Sequence, residues 1–194
     1  MENKNYQIEI PERFYCDADG KPFENCQVCG KYLLDEGTSY VIEKALKNYE
    51  GYDFYSTIFE YAICTECHMT LQSGMSKESM NNLQRYYMQV MLGKGNQPLV
   101  IDLNNFDLNN WLSKCFFTDD LVGDMKEYQV VAQFNGSKMA LNTPPIIVGE
   151  AAMESMSELL SNQTIDEMNR FKQEFFGPDP EFEEIISGKK LILI

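Results

Sequence analysis

Cys26-Gln-Val-Cys29-Gly-Lys31 opens a segment that closes on Cys64-Thr-Glu-Cys67, and the reading of this segment decides the fold of the N-terminal half. A C-x-x-C pair turns the chain tightly enough to bring two sulfurs to one side. Two such pairs supply the four thiolates of a tetrahedral metal centre. Gly30, directly after Cys29, suits a turn that needs positive φ. Between the pairs, residues 39–46 and 55–63 are rich in aromatic and β-branched residues and read as strands. The polar stretch 47–53 around Gly51 joins them as a hairpin with a loop longer than the common two-residue turn. A short helix from about Thr65 to Gln72, stopped by Gly74, follows Cys64 directly. Cys67 then falls in its first turn, where the partly positive helix N-terminus favours a thiolate.

A knuckle, a hairpin and a cysteine pair at a helix start resemble the layout of treble-clef zinc domains, with zinc ribbons next in likeness. The resemblance covers about residues 22–75. It implies that Cys26, Cys29, Cys64 and Cys67 are the ligands of one structural Zn²⁺. It implies no particular activity, because treble clefs serve many roles. Treble-clef nucleases carry a catalytic histidine on the hairpin, whereas the one histidine here, His68, follows Cys67. Four cysteines also close the metal's shell, while catalytic zinc keeps a position open for water. Other readings of the thiols stand beside zinc. A redox dithiol lacks basic neighbours and a strand-to-helix setting, an iron–sulfur cluster lacks the ferredoxin spacings, and four unconnected thiols would need no ion. His68 or Cys16 could also stand in for one ligand.

Working outward, Tyr6-Gln-Ile-Glu-Ile10 alternates like a strand and ends at Pro11. Asp17-Ala-Asp-Gly20 is a turn: a calcium loop would need Glu at its twelfth position, where Val28 stands. Ser76 caps a longer helix whose stripe is Met80, Leu83, Tyr87, Val90 and Met91. Gly93-Lys-Gly-Asn-Gln-Pro98 ends it. The second half holds an expected strand at 99–103 and a helix over 108–116 capped by Asp107. Residues 128–134 and 138–141 form a hairpin around Asn135-Gly136, and helices follow at 150–160 and 164–176. Thr164 with Glu167 reads as a capping box. A helix over 180–187 and a last strand at 191–194 close the chain. The fold class is α+β. The domain reading is a zinc-binding treble-clef-like unit over 1–94 and an acidic α+β unit over 97–194, two parts able to share one core.

The net charge of −14 is spread over both halves, −5 in residues 1–95 and −9 in 96–194. Nucleic acid is disfavoured as a partner, since a phosphate backbone needs clustered Lys and Arg. A basic protein partner suits the charge, and the hairpin aromatics Tyr49, Tyr52, Phe54 and Tyr55 are its expected contacts. Residues 1–6 lack the basic-then-apolar pattern of a signal peptide, and no apolar run reaches the ~20 residues of a membrane span. Paired thiols without a secretion signal read as ligands in a reducing compartment, so the cytoplasm is expected. Asp119, Asp120 and Asp124 with Glu127 read as a solvated acidic loop, and Cys115 as core. No catalytic constellation, P-loop or dinucleotide fingerprint occurs. The expected role is therefore a non-enzymatic interaction or regulatory protein with a four-cysteine zinc site. The alternatives are an enzyme whose site lies in the C-terminal half, or a thiol redox protein.

Overall fold

A computed structural model describes residues 6–52, 54–94 and 106–176. The expected strands at 99–103 and 191–194 and the expected helix at 180–187 lie outside these residues. The architecture is mixed α+β. Among the described residues, six strands form one antiparallel sheet: β1 (Gln7–Glu9), β2 (Ser39–Asn48), β3 (Tyr55–Cys64), β4 (Glu127–Asn135), β5 (Lys138–Ala140) and β6 (Ile146–Gly149). Their spatial order is β1-β5-β4-β2-β3, and β6 pairs with β4 beside β5. Among the described residues, five helices accompany the sheet: α1 (Thr65–Ser73), α2 (Lys77–Gly93), α3 (Leu108–Trp111), α4 (Glu150–Glu158) and α5 (Asn162–Phe176).

β2 is the central strand. It pairs with β3 through the predicted hairpin and with β4 from Ser39↔Asn135 to Lys47↔Glu127. Strands from both sequence halves thus share one sheet and one core cluster. Because both faces of the sheet are covered, β2 is buried continuously from Tyr40 to Leu46 rather than at alternate positions. On one face, Tyr40 stacks on Phe134, and Phe14 meets Phe134 edge-on, so the loops before β2 cover this side. Lys44, two pleats along the same face, reaches the carbonyl oxygen of Tyr15 at 2.7 Å and Asp17 at 2.6 Å. The opposite face carries Val41, Glu43 and Ala45 and packs under the helices.

That helical face holds a buried polar group that alternation alone does not reveal. Glu43 is fully buried and accepts a hydrogen bond from the equally buried Tyr61 hydroxyl. Lys172 of α5 is also buried, and burial pushes its ammonium down to about 8 against the opposing pull of Glu43. Its folded pKa lies below the unfolded value, so between pH 8 and 10.5 the unfolded chain binds more protons and stability rises with pH. Relative to Lys172→Met, the wild-type protein is expected to gain about 2.5 kcal/mol of unfolding free energy between about pH 7 and about pH 10. Urea unfolding at the two pH values measures this. A constant difference between the two proteins would mean that no buried ammonium titrates there.

Local signals placed several boundaries, and tertiary contacts moved others. Gly74 ends α1 and Ser76 caps α2 by accepting from the Ser79 amide, both as read from the sequence. The 108–116 helix is shorter, stopping at Trp111, because residues after Leu112 turn into a bridge between Lys114 and Leu121. The β4–β5 turn is shifted by one residue. Gly136 and Ser137 are its central pair, and Gly136 has φ +55, the pattern of a turn with glycine at its first central position. β6 was not expected. The capping box at Thr164 is also corrected: α5 begins earlier, and Ser161 accepts from the Thr164 amide at 3.3 Å. Thr164 is fully buried instead, bonded to Ser76 and Ser79 of α2. The α2 stripe does not bury either, with Met80 and Tyr87 exposed and Ser79 its buried residue.

Candidate metal centre

The knuckle is a closed turn. The Cys26 amide donates to the Lys31 carbonyl at 2.8 Å, the Gly30 amide donates to the Cys26 carbonyl at 2.8 Å, and Gly30 sits at φ +74. Such a φ is inexpensive for glycine and strained for a side chain. Gln27, between the two cysteines, docks the turn on the edge of β3. Its amide donates to the Ala62 carbonyl at 3.1 Å, and its side-chain oxygen accepts from the Ala62 amide at 3.0 Å. This backbone mimicry aligns the knuckle with the last residues of β3. Sequence reading missed Gln27, although its place inside the C-x-x-C pair was visible.

β3 ends at Cys64, which is also the residue before the first turn of α1, in extended conformation. The strand-to-helix change swings Cys67 back over Cys64. As a result the sulfurs of Cys26, Cys29, Cys64 and Cys67 all lie within 4.8 Å of one another. The Cys29 and Cys64 sulfurs are 3.7 Å apart. Ligands at about 2.3 Å from one tetrahedral ion would stand roughly 3.8 Å apart. The donor set and spacing therefore fit a thiolate-preferring metal. Among the described residues, this is the one group of three or more metal-ligating side chains that gathers in this way.

The surroundings favour negative charge on the sulfurs unevenly. Burial raises the Cys26 thiol, but the amides of Cys64, Cys29 and Val28 outweigh it and bring it down to about 7. The Cys64 amide donates to the Cys26 sulfur at 3.3 Å. Burial pushes Cys64 up to about 11 against the lowering pull of the Cys67 amide, and burial pushes Cys67 higher still, with the sulfurs of Cys64, Cys29 and Cys26 adding to the effect there. A bound cation would offset that mutual repulsion. Cys26 and Cys64 are buried, Cys67 is half-buried and Cys29 is exposed, so the site opens to solvent on the knuckle side. Lys31 of the knuckle and Glu66 of α1 pair at 2.8 Å across this opening.

The other sequence candidates lie elsewhere. His68 projects from α1 into a surface groove and is outside the sulfur cluster. Cys16 bridges back to Lys21 in the first loop. Cys115 is core, its sulfur accepting from the Gly149 amide at 3.3 Å. Asp119, Asp120 and Asp124 line a small concavity with Glu150 rather than Glu127. No described helix is long and apolar enough to cross a membrane. No family model, curated protein or solved structure matches this chain.

Proposed function

We propose that Cys26, Cys29, Cys64 and Cys67 bind one structural zinc ion in a non-enzymatic interaction protein. The four sulfurs within 4.8 Å carry this reading. Knuckle, hairpin and helix follow in the order of a treble clef, which supports zinc over other thiol chemistry. Four thiolates would fill the tetrahedral shell and leave no position for a reacting water. Zinc would tie the knuckle, β3 and α1 together within residues 1–94, whose strands share one sheet with those of the acidic part over 97–194. Uncrosslinked thiols suit a reducing compartment such as the cytoplasm.

The partner surface is the tip of the β2–β3 hairpin. Tyr49 and Phe54 stack there at 4.9 Å with rings nearly parallel, and Lys47 stands 5.9 Å over Tyr49. Tyr52 is 75% exposed and Tyr55 53% exposed. Rigid exposed aromatics are the residue type that dominates interface energetics. The net charge of −14 favours a basic protein as the partner. In a pull-down with the zinc-loaded protein, Tyr52→Ser with Phe54→Ser is expected to weaken partner retention at least about tenfold. Zinc content and circular dichroism should stay unchanged. Equal retention by the variant would place the interface elsewhere.

A further inference from the structure

A concavity lies beside α1, apart from the sulfurs. A groove of about 1430 Å³ runs from Tyr6 past Ser137 and Thr65 to His68, Gln133 and Asn142. It continues into a cleft of about 500 Å³ that shares His68, Gln133 and Asn142 and ends at Tyr87 and Met91 of α2. Two residues of the α2 stripe, Tyr87 and Met91, thus wall this cleft. Cys64 and Cys67 fix the first turn of α1, and Thr65 and His68 from the same turn form the groove's flank.

The lining is unusual for this chain. In a protein of net charge −14, the ionised side chains among the described residues lining groove and cleft are Glu36 and Lys138, and Lys138 is paired with Glu9. An anionic ligand would meet no cluster of cations, and a cationic ligand no cluster of carboxylates. What the walls offer instead is carboxamide and hydroxyl. No hydrogen bond to another described residue engages the side chains of Thr65, Gln133, Ser137 or Asn142. An amide or hydroxyl both donates and accepts, whereas carboxylate only accepts and ammonium only donates. The matching ligand is uncharged and carries many groups that also do both.

Aromatic faces complete the chemistry. Tyr87 is 41% exposed and is backed by Phe116 at 5.8 Å with rings nearly parallel, which holds its free face rigid. Tyr6 is 41% exposed at the other end. A sugar ring presents an apolar C–H face to such a platform and hydroxyls around its edge. The groove volume exceeds the ~300–1,000 Å³ that suits one compact ligand, so an extended one fits better. An extended peptide fits less well. β5 pairs with β4 at Phe134 and Asn135, and β6 pairs with it from Tyr128 to Val131, which leaves Ala132 and Gln133 open on β4. The end strand β1, Gln7–Glu9, offers three more residues, and stretches this short do not carry a long added strand.

The geometry points to a binding site for a neutral oligosaccharide along this groove, with Gln133 and Asn142 bonding hydroxyls and Tyr87 stacking on a ring. Isothermal titration of the zinc-loaded full chain tests it with cellohexaose, maltohexaose, xylohexaose and mannohexaose, with hexagalacturonate and hexalysine as charged controls. At least one neutral hexasaccharide should bind, with an affinity that does not change between about 50 and about 500 mM salt. Gln133→Ala and Asn142→Ala, both at exposed positions, should each weaken it roughly tenfold. Tyr87→Ala should weaken it by a similar factor. The proposal is overturned if no neutral probe binds at about 10 mM, if the three variants bind as the wild type does, or if only a charged probe binds and salt releases it.

Discussion

Cys26→Ser is expected to lose the zinc and unfold the protein, since strands from both sequence halves share one sheet and one core. Structural zinc in a four-ligand site contributes on the order of 10 kcal/mol to folding at neutral pH. A domain of this size has about 5–15 kcal/mol in total, so losing the ion consumes most or all of it. Cys26 is the sensitive position for two reasons beyond coordination. Its sulfur accepts the Cys64 amide at the strand-to-helix change, and it is only 2% exposed. A serine oxygen there is a poorer ligand for a soft-donor site. Thermal unfolding with zinc quantification reads the effect. Cys16→Ser, outside the sulfur cluster, should keep the zinc and unfold close to the wild-type temperature. Equal behaviour of the two variants would dissolve the distinction drawn between ligand and bystander.

Lys44→Met is expected to destabilise the protein by about 3–5 kcal/mol. Lys44 lies on the central strand, 3% exposed, with three oxygen partners: the Tyr15 carbonyl at 2.7 Å, Asp17 at 2.6 Å and Glu60 at 2.8 Å. Methionine has similar bulk, so little packing is lost. What remains is Glu60, 15% exposed, without its counter-charge, and the 15–17 loop without its tie to the sheet. Asp17 also accepts from Thr57, so loop and strand loosen together. Lys31→Met is the matched control. Its ion pair with Glu66 is exposed on both sides, and such pairs contribute only about 0–1 kcal/mol. Chemical denaturation of the zinc-loaded variants should separate the two clearly. A Lys44 effect as small as that of Lys31 would show that water reaches the site.

The cysteine cluster was legible because its determinants are local. Cys-x-x-Cys-Gly, the end of β3 and the start of α1 are each set within a few residues, and the structure brings all four sulfurs together. Gly74 and Ser76 were legible for the same reason. The parts that were not legible depend on distant partners. The long β2–β4 pairing joins strands far apart in sequence, Ser39 lying opposite Asn135, and no local pattern announces it. β6 spans four residues directly after Pro144-Pro145, too short for alternation to register. Thr164 looked like a cap because Glu167 follows it, but Ser161 starts the helix earlier and Thr164 is drawn inward to Ser76 and Ser79. Glu43 and Lys44 broke the apolar pattern of β2 without revealing that both are buried. Their partners come from Tyr61 and from the loop at 15–17.

The groove proposed as a binding site lies beside α1, next to the sulfur cluster. A thiolate cluster that fixes the first turn of a helix also fixes what the flank of that helix presents. Thr65 and His68 stand in the same turn as Cys67 and line the groove, while Gln27 and Glu66 hold the knuckle against strand and helix on the other side.

Native mass spectrometry of the purified protein before and after chelation, with hydrogen exchange on both forms, asks whether a metal ion at the four sulfurs holds this fold together. One zinc ion per chain is expected, with fast amide exchange across the knuckle and α1, Thr65–Ser73, once the ion is withdrawn. A metal-free chain that keeps its unfolding temperature and its protection in α1 would contradict a structural zinc.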